Sequence, residues 1–158
     1  LKLELQAYLD REDFKGAISK LEEALIKEPG NPLYLYNAGF LHQQKLKNIP
    51  KGIEYYQKAI DSDANYVDAI YMLGLVYIDG SNKYVELING LPRNATQKQF
   101  DDLNKKKSAE LQKALGFFER AYALNPKDSS TLEALREVYY KLGKYEDVKR
   151  IAAAIAEL

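Results

Sequence analysis

Four stretches of the chain repeat one apolar pattern: "FKGAISKLEEALIKEPGN" from Phe14, "PKGIEYYQKAIDSDAN" from Pro50, "QKALGFFERAYALNPKD" from Gln112 and "YEDVKRIAAAIAEL" from Tyr145. In each, a small or β-branched residue is followed four positions on by a larger apolar or small one, and three further by another. In order these are Ala17/Leu21/Ala24, Gly52/Tyr56/Ala59, Ala114/Phe118/Ala121 and Val148/Ala152/Ile155. Offsets of four and three place all three on one helical face. Small residues on that face let a neighbouring helix come close. A second helical stretch precedes each one: "LELQAYLD", "LYLYNAGFLHQQ", "AIYMLGLVYI" and "LEALREVYYKLG". The pattern predicts an all-α chain built of helix pairs.

Helix-boundary signals agree with the pairs. Asn31-Pro32 is a capping residue followed by proline in the first turn. Ser130 to Glu133 matches a capping box, and Gly143 supplies a left-handed stop after Leu142. Ala24 to Ala59 spans 35 residues, Ala59 to Ala121 spans 62 and Ala121 to Ile155 spans 34. A period near 34 is that of the tetratricopeptide repeat. With Leu73-Gly74, Tyr77 three beyond, the alanine pairs, and the closing prolines Pro29 and Pro126, the chain resembles that family over nearly its whole length. Leu5 and Arg136 stand where the family prefers a small residue, Ala64 replaces a closing proline, and repeat two has one extra residue in its turn. The resemblance implies a right-handed superhelix of four stacked repeats: 1–31, which lacks its opening residues, 32–65, 66–128 and 129–158. Sequence upstream of Leu1 is expected.

Repeat three carries 28 residues beyond the period, at about 80–108. Its apolar stripe continues past Gly80 through Ser81, Tyr84, Val85 and Ile88. "NGLPRN" (89–94) is a strong turn. Thr96 to Gln99 fits a capping box, and Phe100, Leu103, Lys107 and Leu111 resume the stripe. Both helices are therefore expected to overshoot and form a projecting antiparallel hairpin tipped near Gly90–Asn94. The alternative is a first helix ended by Gly80, with a separate short helix around Lys83–Asn89. An overlong third repeat resembles a group of bacterial, often exported, members of the family.

Composition narrows the chemistry. Lysine and arginine total 23, as do aspartate and glutamate, so no electrostatic footprint for a nucleic acid or an anionic membrane exists. No run is long and apolar enough for a membrane span. The absence of cysteine excludes disulfides and thiolate sites, and suits an exported protein without establishing a compartment. The lone histidine, His42, falls where the family packs an aromatic and reads as structural. Glu22-Glu23, Asp61/Asp63, Asp101-Asp102 and Lys105–Lys107 read as solvated faces or caps. Asn94-Ala95-Thr96 has the form of a glycosylation sequon, which its capping role explains. No phosphate loop, metal spacing or nucleophile–base pair occurs. Neither an enzyme nor a cofactor is expected.

The resemblance implies that a peptide or helix is held in the concave groove. Helix geometry assigns that wall to Lys2, Gln6, Leu33, Tyr36, Phe40, Tyr71, Leu75, Ile78, Glu133, Glu137 and Tyr140. A chaperone-binding carboxylate clamp fails: Lys2 and Asn37 match, Gln6 stands for an asparagine, but Asp68 replaces a lysine and Met72 an arginine. An apolar and aromatic wall remains, centred on Leu33, Tyr36, Phe40, Tyr71, Leu75, Ile78 and Tyr140. Replacing Tyr36, Phe40 and Tyr71 with alanine is expected to abolish capture without unfolding. The second reading is structural: self-association through an exposed row of Tyr84, Val85, Ile88 and Leu91, or through the alanine-rich terminal helix. A lipid or small-molecule carrier is a third class, disfavoured because such a groove is shallow.

Overall fold

The computed structural model describes residues 1–158 and contains eight α-helices and no strand. They are α1 (Lys2–Asp10), α2 (Phe14–Lys27), α3 (Pro32–Phe40), α4 (Ile49–Ser62), α5 (Val67–Asn89), α6 (Gln97–Leu124), α7 (Ser129–Lys141) and α8 (Tyr145–Ala156). Two compact units result, Leu1–Ala69 and Ile70–Leu158, each with its own buried core.

In the first unit, short polar side chains start the helices. Asp13 accepts a hydrogen bond from the Gly16 amide at 2.9 Å. Asn31 accepts from the Leu33 and Tyr34 amides ahead of Pro32, and Asn48 accepts from Lys51. Ala17, Leu21, Leu35, Ala38, Tyr56 and Ala59 are fully or almost fully buried. Two glycines bring α3 against α4. A Cβ on Gly39 would lie 2.8 Å from the Tyr56 ring and 3.2 Å from the Gly52 carbonyl oxygen. Such contact leaves no room for a methyl group.

The extra residue of this region is housed in a π-helical turn, Leu41–Lys45, that prolongs α3. The Leu46 amide bonds the Leu41 carbonyl at 3.0 Å, closing a ring one residue wider than an α-turn. Lys47 follows at φ 56, so the chain leaves the turn through a left-handed residue. Gln43, buried in the turn, accepts a hydrogen bond from the Tyr56 hydroxyl at 2.8 Å.

The second unit holds all but the first three residues of α5, which runs unbroken through Gly80 for 23 residues, and the whole of α6, which runs for 28. The expectation of one continuous helix holds and the broken-helix alternative falls. Gly74 abuts the Phe118 ring, Tyr77 stacks on Phe117 at 5.7 Å, and Gly80 faces Glu110. Contacts that advance on α5 while receding on α6 define an antiparallel pair. Ser81, fully buried, donates its hydroxyl proton back to the Ile78 carbonyl at 2.8 Å. That bond satisfies the buried hydroxyl within α5 itself.

The connecting turn closes as expected. The Gly90 amide bonds Glu86, and Thr96 and Gln99 exchange the two bonds of a capping box. Lys107 is half-buried, its ammonium donating to Asn104. One expected cap is corrected. The start of α7 is capped by Asp128, which accepts from the Thr131 amide at 2.7 Å, rather than by Ser130. The carboxylate is the stronger acceptor and lies one residue before the first turn, and Glu133 turns to Arg136 instead. Gly143, at φ 71, ends α7 as foreseen, its amide bonding the Tyr140 carbonyl.

Candidate protein-binding groove

Tyr71, Leu75 and Ile78 recur along α5 at offsets of four and three, so they share one face. Opposite them stand Ser129, Ser130, Glu133, Ala134, Arg136, Glu137 and Tyr140 of α7, with Val148 of α8. Together these side chains line an open depression of about 750 Å³ in the second unit. Leu75, Ile78, Ala134 and Val148 supply its apolar surface. Ile78 is only 7% exposed and belongs to the core as much as to the wall. Tyr140, by contrast, is 64% exposed and packs edge-on against Tyr145 at 6.0 Å.

Two carboxylates face this depression. Glu133 pairs with Arg136, and Glu137 with Lys141 at 2.7 Å; the Lys141 ammonium also donates to Asn82 of α5. Pairs of this kind on a helix surface contribute only about 0.2–0.5 kcal/mol each. Tyr71 packs edge-on against Phe118 at 5.5 Å. Its hydroxyl is pushed above the usual tyrosine range by burial first, then by the negative charges of Asp128 and Glu137. A neutral phenol beside carboxylates offers a hydrogen-bond donor to an incoming segment.

The other groove residues expected from sequence lie in the first unit. Leu33 is 51% exposed. Tyr36 is half-buried in an aromatic cluster with Phe40, Tyr56 and Tyr66, its ring centroid 6.5, 5.9 and 5.8 Å from theirs. Phe40 also borders a smaller hollow of about 310 Å³ with Leu5, Leu9, Phe14 and Asn37. Lys2 and Gln6 sit exposed on α1, with Gln6 donating to Asp10. The expected Tyr36/Phe40/Tyr71 alanine variant is therefore not neutral for folding, since Tyr36 and Tyr71 pack against the cores of their own units. Leu33 and Tyr140 are the cleaner probes.

Sequence reasoning missed Ser129, Ser130, Ala134, Arg136 and Val148 as groove-lining residues. Arg136 could have been found, standing three residues after Glu133 and four before Tyr140 on the same face. Val148 could not: it is on α8, on the face that the pattern Val148/Ala152/Ile155 assigns to packing.

At the end of the hairpin the expected exposed row is corrected. Tyr84, Ile88 and Leu91 are half-buried, because Tyr84 and Ile88 extend the Tyr77–Ser81 side of α5 toward α6. The exposed apolar side chains there are Leu87 at 55%, Phe100 at 43% and Val85 at 39%. His42, in the π-turn, stacks on Tyr55 at 5.5 Å with both ring nitrogens buried and unpartnered. No cluster of three or more acidic or histidine side chains is placed to hold a metal ion. No helix is long and apolar enough to cross a membrane.

These features define an all-α helical-repeat protein with a groove between the first helices of two successive pairs. Its fold is that of tetratricopeptide-repeat proteins. It superposes on TTC0263, a tetratricopeptide-repeat protein of Thermus thermophilus, at TM-score 0.64 and 21% identity, over 100% of this chain and 72% of that one. A repeat protein of Bacteroides fragilis, BF2334, gives TM-score 0.59 and 21% identity, over 87% and 64%. A monomeric IFIT1 variant, solved with a capped RNA, gives TM-score 0.74 and 18% identity, over 96% and 31%. In sequence, the chain is 24% identical over 146 residues to Superkiller protein 3 of Schizosaccharomyces pombe, covering 83% of this chain and 10% of that protein. The chain thus spans a tenth of that relative and about a third of IFIT1. No family profile matches the sequence.

Proposed function

We propose that the chain is a non-enzymatic scaffold that binds a peptide or helix of a protein partner on its first-helix faces. The observation that carries this reading is the depression of the second unit, walled by Tyr71, Leu75, Ile78 and Tyr140. Exposed aromatic side chains over an apolar surface suit contact anchors, since a tyrosine loses little entropy on binding. The repeat boundaries 1–31, 32–65, 66–128 and 129–158 belong to the same reading. A balanced charge and a groove bearing Glu133 and Glu137 favour a protein over a nucleic acid.

The test is capture from the native extract, comparing the parent with a Tyr140→Ala variant. That side chain is 64% exposed, so the variant should keep its helix content. A protein retained by the parent and lost with the variant is the expected result. Identical capture by both would reject the groove as the binding face.

A second reading has its own observation. Leu87, Phe100 and Val85 leave an apolar surface at the hairpin end, which an assembly contact would cover.

A further inference from the structure

We propose that Asn89-Gly90, at the end of α5, is a site of self-modification: the asparagine side chain cyclises onto the glycine nitrogen and ends as aspartate or isoaspartate. The inference is independent of the groove and concerns the hairpin end.

The reaction needs a side-chain amide, an unhindered amide nitrogen after it, and a backbone loose enough to bring the two together. The Gly90 nitrogen loses its proton and attacks Cγ of Asn89. The new C–N bond closes a succinimide ring, and the side-chain nitrogen leaves as ammonia, taking a proton from solvent. Water then opens the ring at either carbonyl. One opening leaves aspartate; the other leaves isoaspartate, whose main chain is longer by a methylene.

Asn89 meets each condition. It is the one asparagine of the chain followed by glycine, and glycine places no Cβ beside the attacking nitrogen. Asn31 and Asn125 precede prolines, whose nitrogens have no proton to lose. The carboxamides of Asn31, Asn48, Asn82 and Asn104 are held by hydrogen bonds, whereas that of Asn89 is exposed and held by none. The local fold does not require a glycine here. Gly90 is not left-handed, and a Cβ on it would meet only the Glu86 and Leu87 carbonyl oxygens, at 3.4 and 3.7 Å.

Position supplies the last condition. Asn89 is the final residue of α5, so helical backbone restrains it from one side only. A single bond restrains the nucleophile: the Gly90 amide donates to the Glu86 carbonyl at 2.9 Å. Bonds in a terminal turn open readily. Asp79-Gly80 has a similar form but lies within α5, where helix on both sides keeps Cγ from the next nitrogen. The product changes the hairpin end. A carboxylate at residue 89 stands at the negative end of the α5 dipole. Isoaspartate also displaces the Gly90–Glu86 and Leu91–Ile88 bonds that close the turn.

The experiment ages the purified full chain at mildly alkaline pH and body temperature, folded and, in parallel, unfolded in guanidinium chloride. A folded Gly90→Ala variant runs beside them, with circular dichroism checking the two folded samples. Peptide mass mapping and ion-exchange chromatography follow residue 89 with time. In the folded parent, Asn89 should become aspartate and isoaspartate ahead of every other asparagine, with one more negative charge on the column. That conversion should be lost in Gly90→Ala. Hydrogen exchange should find the Gly90 and Leu91 amides less protected in the converted chain. An Asn89 that stays an amide in the folded chain, whatever it does when unfolded, would overturn the inference by showing that the helix end locks the site. Conversion as fast in Gly90→Ala as in the parent would overturn it too, since an unhindered glycine nitrogen would then not be what drives it.

Discussion

His42 shows how one residue can satisfy packing and leave its chemistry unmet. Its ring lies nearly parallel to Tyr55, 11° between planes, and the Tyr55 hydroxyl donates to Glu22 at 3.0 Å. Neither imidazole nitrogen has a partner. Burial holds its pKa below the ordinary 6.5; Glu22 and Glu54 oppose that shift and Lys51 adds to it. A lowered folded pKa means that the unfolded chain takes up the proton first. The stability tied to neutral His42 is thus fully present above about pH 6.5 and is lost as pH falls through the lower folded value. His42→Phe keeps the stacked ring and removes two unpaired polar atoms, so it should stabilise by about 1 kcal/mol. It should also flatten the fall in stability below about pH 6.5. Urea unfolding of parent and variant across that range checks both, and a less stable variant would show that the nitrogens are hydrogen-bonded in solution.

At the scale of helices, the face pattern was legible because it is written in residue size as well as polarity. Gly39 and Gly52 mark where α3 and α4 touch, and Gly74 marks where Phe118 enters α5. The continuity of α5 through Gly80 could be read from the unbroken stripe Leu73, Tyr77, Ser81, Tyr84 and Ile88. The π-turn could not. The spacing revealed one residue too many, but whether it bulged in a loop or widened a helical turn depended on Gln43 finding the Tyr56 hydroxyl, a contact between two helices. The glycines supply a paired prediction. Gly39→Ala should cost about 1–3 kcal/mol, since its methyl group would press on a ring and a backbone carbonyl. Gly116→Ala, on α6 with no neighbouring atom within 4 Å, should instead gain about 0.5–1 kcal/mol from helix propensity. Denaturant unfolding of the two variants should therefore move in opposite directions.

For the molecule as a whole, architecture was plainer in the sequence than partnership, and the reason is physical. A repeated core must recur in the sequence, whereas a binding surface is set by side chains that need answer to only one partner. Tyr71, Leu75, Ile78 and Tyr140 were recognised because the repeat itself places them on one wall. The hairpin end had no such rule: periodicity named its apolar residues but assigned Tyr84 and Ile88 to the outside, where Leu87 and Phe100 stand instead. This decides how the assembly reading can be tested, because the hairpin is not simply removable. Deleting Ser81–Lys107 would remove a fully buried serine and the Asn82 contact with Lys141, so any loss of mass would be confounded with damage to the core. Seven residues of α5 follow Asn82, a projection of about 10 Å at helical rise. Point changes on that projection are cleaner. Leu87→Glu/Phe100→Glu should cost no more than about 1 kcal/mol, because neither side chain belongs to the buried core. If the hairpin is an assembly contact, light scattering should show a parent whose mass rises with concentration and a variant whose mass does not. Equal masses at every concentration would leave the exposed leucine and phenylalanine as ordinary surface residues and the groove as the functional face.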